Sequence, residues 1–152
     1  MLHLFIVSLF FSVSAFQWPG SINCGKHTTG DWQHKYIIDH HSGLDLTFDC
    51  DIVGVAANAA LKELKNPNIN GVAESWKYCR FSRERQFHRR SFYEPQLLEL
   101  LGLMPWAEIS AVAKRLGSTK YGCSAMRLAA GRTDYRDATI ICLYLKNGKS
   151  CN

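Results

Sequence analysis

Tyr121-Gly122-Cys123-Ser124-Ala125-Met126-Arg127-Leu128, followed after a polar interval by Thr139-Ile140-Ile141-Cys142-Leu143-Tyr144-Leu145, decides the fold class. Both runs are rich in β-branched, aromatic and aliphatic residues, the composition that fits a pleated surface buried on at least one face. The stretch Gly131 to Asp137 between them is polar and contains glycine, so the pair reads as an antiparallel hairpin with its loop there. Each strand carries one cysteine, and symmetric pairing about the loop brings Cys123 and Cys142 within cross-linking distance.

Upstream of this hairpin the period changes to that of helices. Thr29-Gly30-Asp31 can cap a helix from Trp32 to about His40, in which Trp32, Tyr36 and Ile37 recur on one face, and Gly43 stops it. Asp49 is the N-cap of a second helix, in which Ile52, Val55, Ala56, Ala59, Ala60 and Glu63 follow at three- and four-residue steps until Asn66-Pro67 breaks it. Pro95 sits in the first turn of a short helix with Leu97, Leu98, Leu100 and Leu101, and Pro105 starts another that runs to Leu116 and ends at Gly117. Asn66 to Gly71 is rich in Asn, Pro and Gly, the chemistry of a loop, and Gly71 to Glu94 shows no clean period of either kind. Helices first and strands last make an α+β chain.

The first fifteen residues, Met1 to Ala15, form an apolar run ending in Val13-Ser14-Ala15, the small-residue pattern of a secretory signal peptide. The run is shorter than the ~20 apolar residues a membrane-spanning helix needs, so stable membrane insertion is not expected. Export would place Cys24, Cys50, Cys79, Cys123, Cys142 and Cys151 in an oxidising compartment, where an even set pairs. The partners of Cys24, Cys50, Cys79 and Cys151 stay open at this stage. Residues 16–152 are the size of one domain, 47% of the chain is hydrophobic, and there is neither a low-complexity tract nor a repeat. No Asn-x-Ser/Thr sequon occurs.

The chain holds 18 Lys and Arg against 13 Asp and Glu, a formal charge of +5, and the excess is concentrated. Lys77, Arg80, Arg83, Arg85, Arg89 and Arg90 stand against the single acid Glu84, with Trp76, Phe81 and Phe87 interleaved. Guanidinium forks grip sulfate, phosphate and carboxylate bidentately and stack on aromatic faces. The segment is therefore a candidate anion-binding surface for a sulfated glycan, an anionic membrane surface or an acidic patch on a partner protein. Its bland reading is a solvated loop held by Cys79. Export makes nucleic acid an unlikely target.

Catalytic and metal signatures are weak. There is no Gly-x-Ser-x-Gly elbow, His-Glu-x-x-His pair or phosphate loop, and no cofactor is implied. His34 and His41 share a helix face but lie about 10 Å apart along the axis, too far for one zinc ion, so no metal site is expected. A small secreted hydrolase remains the alternative: His40 or His41 facing His88 would supply the acid and base of a ribonuclease-like cleavage. Asp39, Glu63 and Glu74 are isolated carboxylates, the usual sign of solvated surface.

Three patches resemble a known family. Trp32-Gln33-His34-Lys35-Tyr36-Ile37-Ile38-Asp39-His40-His41-Ser42 resembles the first helix of the CAP superfamily, which includes nematode activation-associated secreted proteins and venom allergens and in which this helix ends in a His-Asn pair. Leu46-Thr47-Phe48-Asp49-Cys50-Asp51 resembles the family's Met-x-Tyr-Asp-Cys segment. Tyr121-Gly122-Cys123 and Ile141-Cys142-Leu143-Tyr144 resemble its Gly-Cys-Gly and Val-Cys-x-Tyr strands, whose cysteines are bridged. The resemblance implies a reduced, disulfide-stabilised α-β-α sandwich, a bridge between Cys123 and Cys142, and His40 as the remnant of a cation-binding cleft. It departs where the Gly-His-Tyr-Thr-Gln-x-x-Trp motif is missing before Gly122, and where residues 66–103 match nothing in the family. The function it implies is that of a secreted, non-enzymatic effector acting on a host or extracellular protein, with sterol or lipid carriage as a further family property.

Overall fold

The computed structural model describes Cys24 and residues 31–65, 75–88, 93–127 and 135–152. The predicted leader Met1–Ala15, the Thr29-Gly30 cap, the Asn66-Pro67 break, Glu74, Arg89 and Arg90 all lie outside the described residues. The elements run α1 (Asp31–His40), β1 (Leu46–Phe48), α2 (Cys50–Lys65), β2 (Tyr78–His88), α3 (Tyr93–Leu103), α4 (Trp106–Leu116), β3 (Thr119–Arg127) and β4 (Tyr135–Leu145). The fold is mixed α and β: the described residues form four helices and one four-stranded mixed sheet in the order β1-β3-β4-β2.

The sheet's centre is the predicted hairpin. β3 and β4 are antiparallel with Cys123 opposite Cys142 and Tyr121 opposite Tyr144. The loop expected at Gly131 to Asp137 is shorter than predicted at its far end, since Tyr135, Arg136 and Asp137 belong to β4. Their polarity suits the pairing they make, at the end of the sheet with His88, Phe87 and Gln86 of β2.

β2 occupies residues 78–88, where the sequence shows no clean period. Antiparallel pairing to β4 extends along its whole length, from Tyr78 opposite Leu145 to His88 opposite Tyr135. Its period escaped notice because Cys79, Phe81 and Phe87 share their two-residue series with Arg83 and Arg85, so the inward positions are not uniformly apolar. A charged strand is well suited to the sheet's edge, where its unpaired backbone would otherwise invite another chain. β1, three residues long and parallel to β3, is too short to leave a pattern.

Both faces of the sheet are covered. On one, Ile52, Ala56 and Ala60 of α2 pack on Tyr78, Ile141 and Leu143. On the other, Ile37 of α1, Leu97, Leu100 and Leu101 of α3, and Ile109, Val112 and Leu116 of α4 pack on Cys123, Ala125, Ile140, Cys142 and Tyr144. Alternation along β4 sends Ile141 and Leu143 to the first core and Ile140, Cys142 and Tyr144 to the second.

Helix ends follow local chemistry. Asp49 Oδ1 accepts from the backbone N–H groups of Asp51 (2.9 Å) and Ile52 (3.2 Å), capping α2. Lys120 Nζ donates to Asp49 Oδ2 at 2.9 Å, and this bond with the capping N–H groups holds the carboxyl below its ordinary pKa. Gly117 ends α4 at φ 68°, a left-handed backbone that glycine adopts freely. Lys149 Nζ then donates to the Leu116 carbonyl at 2.6 Å, tying the C-terminal segment to the same helix end.

Three disulfides cross-link the fold: Cys24 with Cys50, Cys79 with Cys151, and Cys123 with Cys142. The first fastens the preceding segment to the start of α2, the second fastens the C-terminal tail to β2, and the third lies inside the sheet. No cysteine is free. No helix among the described residues is long and apolar enough to cross a membrane.

Candidate functional site

β2 distributes the basic segment instead of gathering it. Side chains alternate along a strand, so Arg83 and Arg85 lie on the side of α3 while Arg80 lies on the side of α2. Arg80 forms a half-buried ion pair with Glu63 of α2, and Arg85 forms a more exposed one with Glu99 of α3. Arg83 donates from Nε to the Leu103 carbonyl at 2.9 Å and from a terminal nitrogen to the Ser82 carbonyl at 2.8 Å. The Lys77 ammonium lies 5.3 Å from the ring centroid of Tyr78. The described members of the candidate anion-binding segment thus do not share one face. The arginines divide between two sheet faces, and two of them are already neutralised by carboxylates.

What this distribution leaves is a seam between β2 and α3. Leu103, an exposed large apolar residue of α3, lies one turn from Glu99, the partner of Arg85, and its carbonyl accepts from Arg83. The seam combines apolar area with charge of both signs.

The second cluster is buried under the end of α1. His41 is 3% exposed. Its Nδ1 lies 2.6 Å from the Ile37 carbonyl, which can only accept, so Nδ1 carries the proton. Nε2 is then the lone-pair nitrogen, and the Tyr144 hydroxyl at 2.6 Å donates to it. The ring stacks on Tyr121 with centroids 4.1 Å apart and meets Trp106 edge-on at 5.1 Å. Burial opposes a charge here and lowers the His41 pKa from 6.5 to about 4, against a smaller upward pull from the Ile37 hydrogen bond. His41 is a neutral histidine of the core. The same burial raises the pKa of both Tyr121 and Tyr144.

The other described histidines make different contacts, and only His40 shares Trp106 with His41. His40 is exposed and stacks on Trp106 at 5.2 Å, while His34 is buried against Phe48 at 5.3 Å. His88 meets Tyr135 at the opposite end of β4 from Tyr144. The nine-residue step from Tyr135 to Tyr144, at about 3.3 Å per residue, puts roughly 30 Å between the contacts of His88 and of His41. The paired-histidine arrangement required for ribonuclease-like cleavage is not assembled.

His41 Nε2 lies 4.0 Å from Cys123 Sγ, and His41, Cys123 and Cys142 form the one cluster of metal-ligating residue types among the described residues. With the two sulfurs bonded to each other, neither is the thiolate that would coordinate a cation.

Sequence reasoning missed the roles of Tyr121, Tyr144 and Trp106. A signal for the first two was present: Tyr121-x-Cys123 and Cys142-x-Tyr144 are mirror-related i, i+2 pairs, and a register that aligns the cysteines aligns the tyrosines on the same face. Nothing local pointed to Trp106, whose indole N–H donates to the Leu101 carbonyl at 2.8 Å as its ring meets both His40 and His41.

No family model, curated protein or solved structure matches this chain.

Proposed function

We propose that this chain is an exported, non-enzymatic binding protein, a diverged and shortened relative of the CAP superfamily that engages a host or extracellular protein. The observation that carries this reading is the complete pairing of six cysteines within one fold, with a bridge at the start of α2, one inside the sheet and one at the C-terminal tail. Such cross-linking persists in an oxidising compartment and holds surface residues in place on a small core. Helices on both faces of the sheet and the Cys123–Cys142 bridge accord with the family resemblance. The recognition surface assigned by this reading is the β2–α3 seam with Leu103, Arg83 and Arg85, because apolar area beside placed charge suits a protein partner better than a polyanion.

The test is cell-surface capture with the oxidised, refolded chain. The expected result is saturable retention of one surface protein, weakened at least tenfold by Leu103→Glu with Arg85→Gln. Absence of saturable binding would overturn the proposal. So would RNA hydrolysis that disappears on His40→Ala or His88→Ala, which would promote the enzyme reading.

A further inference from the structure

The Cys123–Cys142 disulfide and His41 lie together in the core with a geometry that the binding role does not use. Both cysteines are fully buried, His41 is nearly so, and their candidate ligand atoms all fall within 4.8 Å of one another. The imidazole is already arranged as a ligand would be. Its Nδ1–H is committed to the Ile37 carbonyl, which fixes the ring's orientation and tautomer, and its Nε2 lone pair points towards the Tyr144 hydroxyl, with Cys123 Sγ 4.0 Å away. A backbone carbonyl holding the far nitrogen is the usual outer partner of a metal-bound histidine.

We propose that reduction of Cys123–Cys142 turns this cluster into a buried three-ligand site for a thiophilic divalent cation, zinc or cadmium, with His41 Nε2 and the two cysteine sulfurs as ligands. A tetrahedral zinc ion with Zn–S near 2.3 Å and Zn–N near 2.0 Å needs N···S separations of about 3.6 Å and S···S separations of about 3.8 Å. For Cys123 the present 4.0 Å is within about half an ångström of the first, and Cys142 Sγ lies within 4.8 Å of the imidazole ligand atom. The second is reached when the S–S bond is cleaved and the sulfurs move to ordinary contact. Tyr144 gives up its hydrogen bond to Nε2. The fourth position of the tetrahedron falls to a neutral exogenous ligand, water.

Electrons and protons balance with a phosphine as reductant. Phosphine and water become phosphine oxide as the disulfide takes up two electrons and two protons to give two thiols. Binding the cation then releases those two protons, leaving two thiolates, a neutral imidazole and a dication. The assembly has no net charge, which is the condition for burying it in an apolar core.

The experiment uses the whole chain, oxidised or reduced with a phosphine, titrated with cadmium and followed by the ultraviolet sulfur-to-cadmium charge-transfer band. Because reduction also frees Cys24, Cys50, Cys79 and Cys151, maleimide labelling with peptide mapping identifies the sulfurs that cadmium protects. The expected result is one equivalent bound only after reduction, selective protection of Cys123 and Cys142, retained far-ultraviolet circular dichroism, and at least tenfold weaker binding for His41→Ala. Equal labelling of all six cysteines overturns the proposal, as does undiminished affinity in His41→Ala. Loss of the folded spectrum in the reduced, cadmium-loaded chain also overturns it, since the site exists only in the packed core. None of these outcomes depends on whether an extracellular partner is found.

Discussion

Gly122 lies so close to the first turn of α2 that a Cβ placed on it would stand 2.4 Å from the backbone nitrogen of Val53 and 2.7 Å from the carbonyl carbon of Ile52. Both atoms belong to backbone, so a side chain at 122 must push the helix off the sheet instead of rotating a neighbour aside. The contact is reinforced by the Asp49 N–H, which donates to the Tyr121 carbonyl at 2.8 Å, and by the Lys120 bond to Asp49.

Gly122→Ala is accordingly expected to destabilise by about 1–3 kcal/mol or more, the range for overpacking a close-packed contact. Gly102, in α3, has open space where a Cβ would go and a helical backbone, so Gly102→Ala is expected to stabilise by roughly 0.5–1 kcal/mol. Denaturant midpoints of the two variants should move in opposite directions. Movement in the same direction would contradict the close approach of α2 to β3.

The buried, neutral state of His41 has a pH consequence. Its folded pKa is lowered to about 4 from 6.5, so the unfolded chain takes up a proton at this residue before the folded one does. The associated stability is fully present above pH 6.5 and is lost as pH falls towards 4, amounting to about 3 kcal/mol at 1.36 kcal/mol per pKa unit. Unfolding free energies measured between pH 7 and 4 should decline less steeply in His41→Gln than in the parent chain. Parallel profiles would show that His41 is not buried as described.

The two long-range disulfides should contribute unequally. Cys79–Cys151 spans 72 residues and Cys24–Cys50 spans 26, so by the chain-entropy argument removal costs about 4 and about 3.5 kcal/mol respectively. Cys79→Ala with Cys151→Ala also frees the tail whose Cys151 carbonyl accepts from Arg115. Thermal melting of the two double variants should rank the Cys79–Cys151 deletion as the more damaging. The reverse order would mean that the tail's attachment adds little beyond local order.

Splitting the arginines between sheet faces predicts weak and unspecific polyanion binding. Arg80→Gln, Arg83→Gln and Arg85→Gln together should change elution from a heparin column no more than neutralising the exposed Lys35, Lys62 and Lys114, since both sets lower the formal charge of +5 by three. A markedly earlier elution for the arginine triple alone would restore a shared anion site on β2.

Much of the helical framework was legible in the chain because its determinants are local. Asp49 caps α2 through groups two and three residues away, Gly43 and Gly117 mark helix ends by taking left-handed backbone, and Pro105 precedes α4. The hairpin was legible for the same reason, through two apolar runs with one cysteine each. β2 was hidden because an edge strand mixes charge into its inward positions, and whether such a run becomes strand or loop depends on β4 lying beside it. The fates of Arg80, Arg83 and Arg85 were equally remote: Glu63 and Glu99 lie on α2 and α3, and only the folded sheet sets which face each arginine takes. His41 shows the division most plainly. Its place after a helix could be read from adjacent residues, but its burial, its tautomer and its partners Tyr144, Trp106 and Cys123 come from β3, β4 and α4, which are distant in sequence and meet only when the core closes.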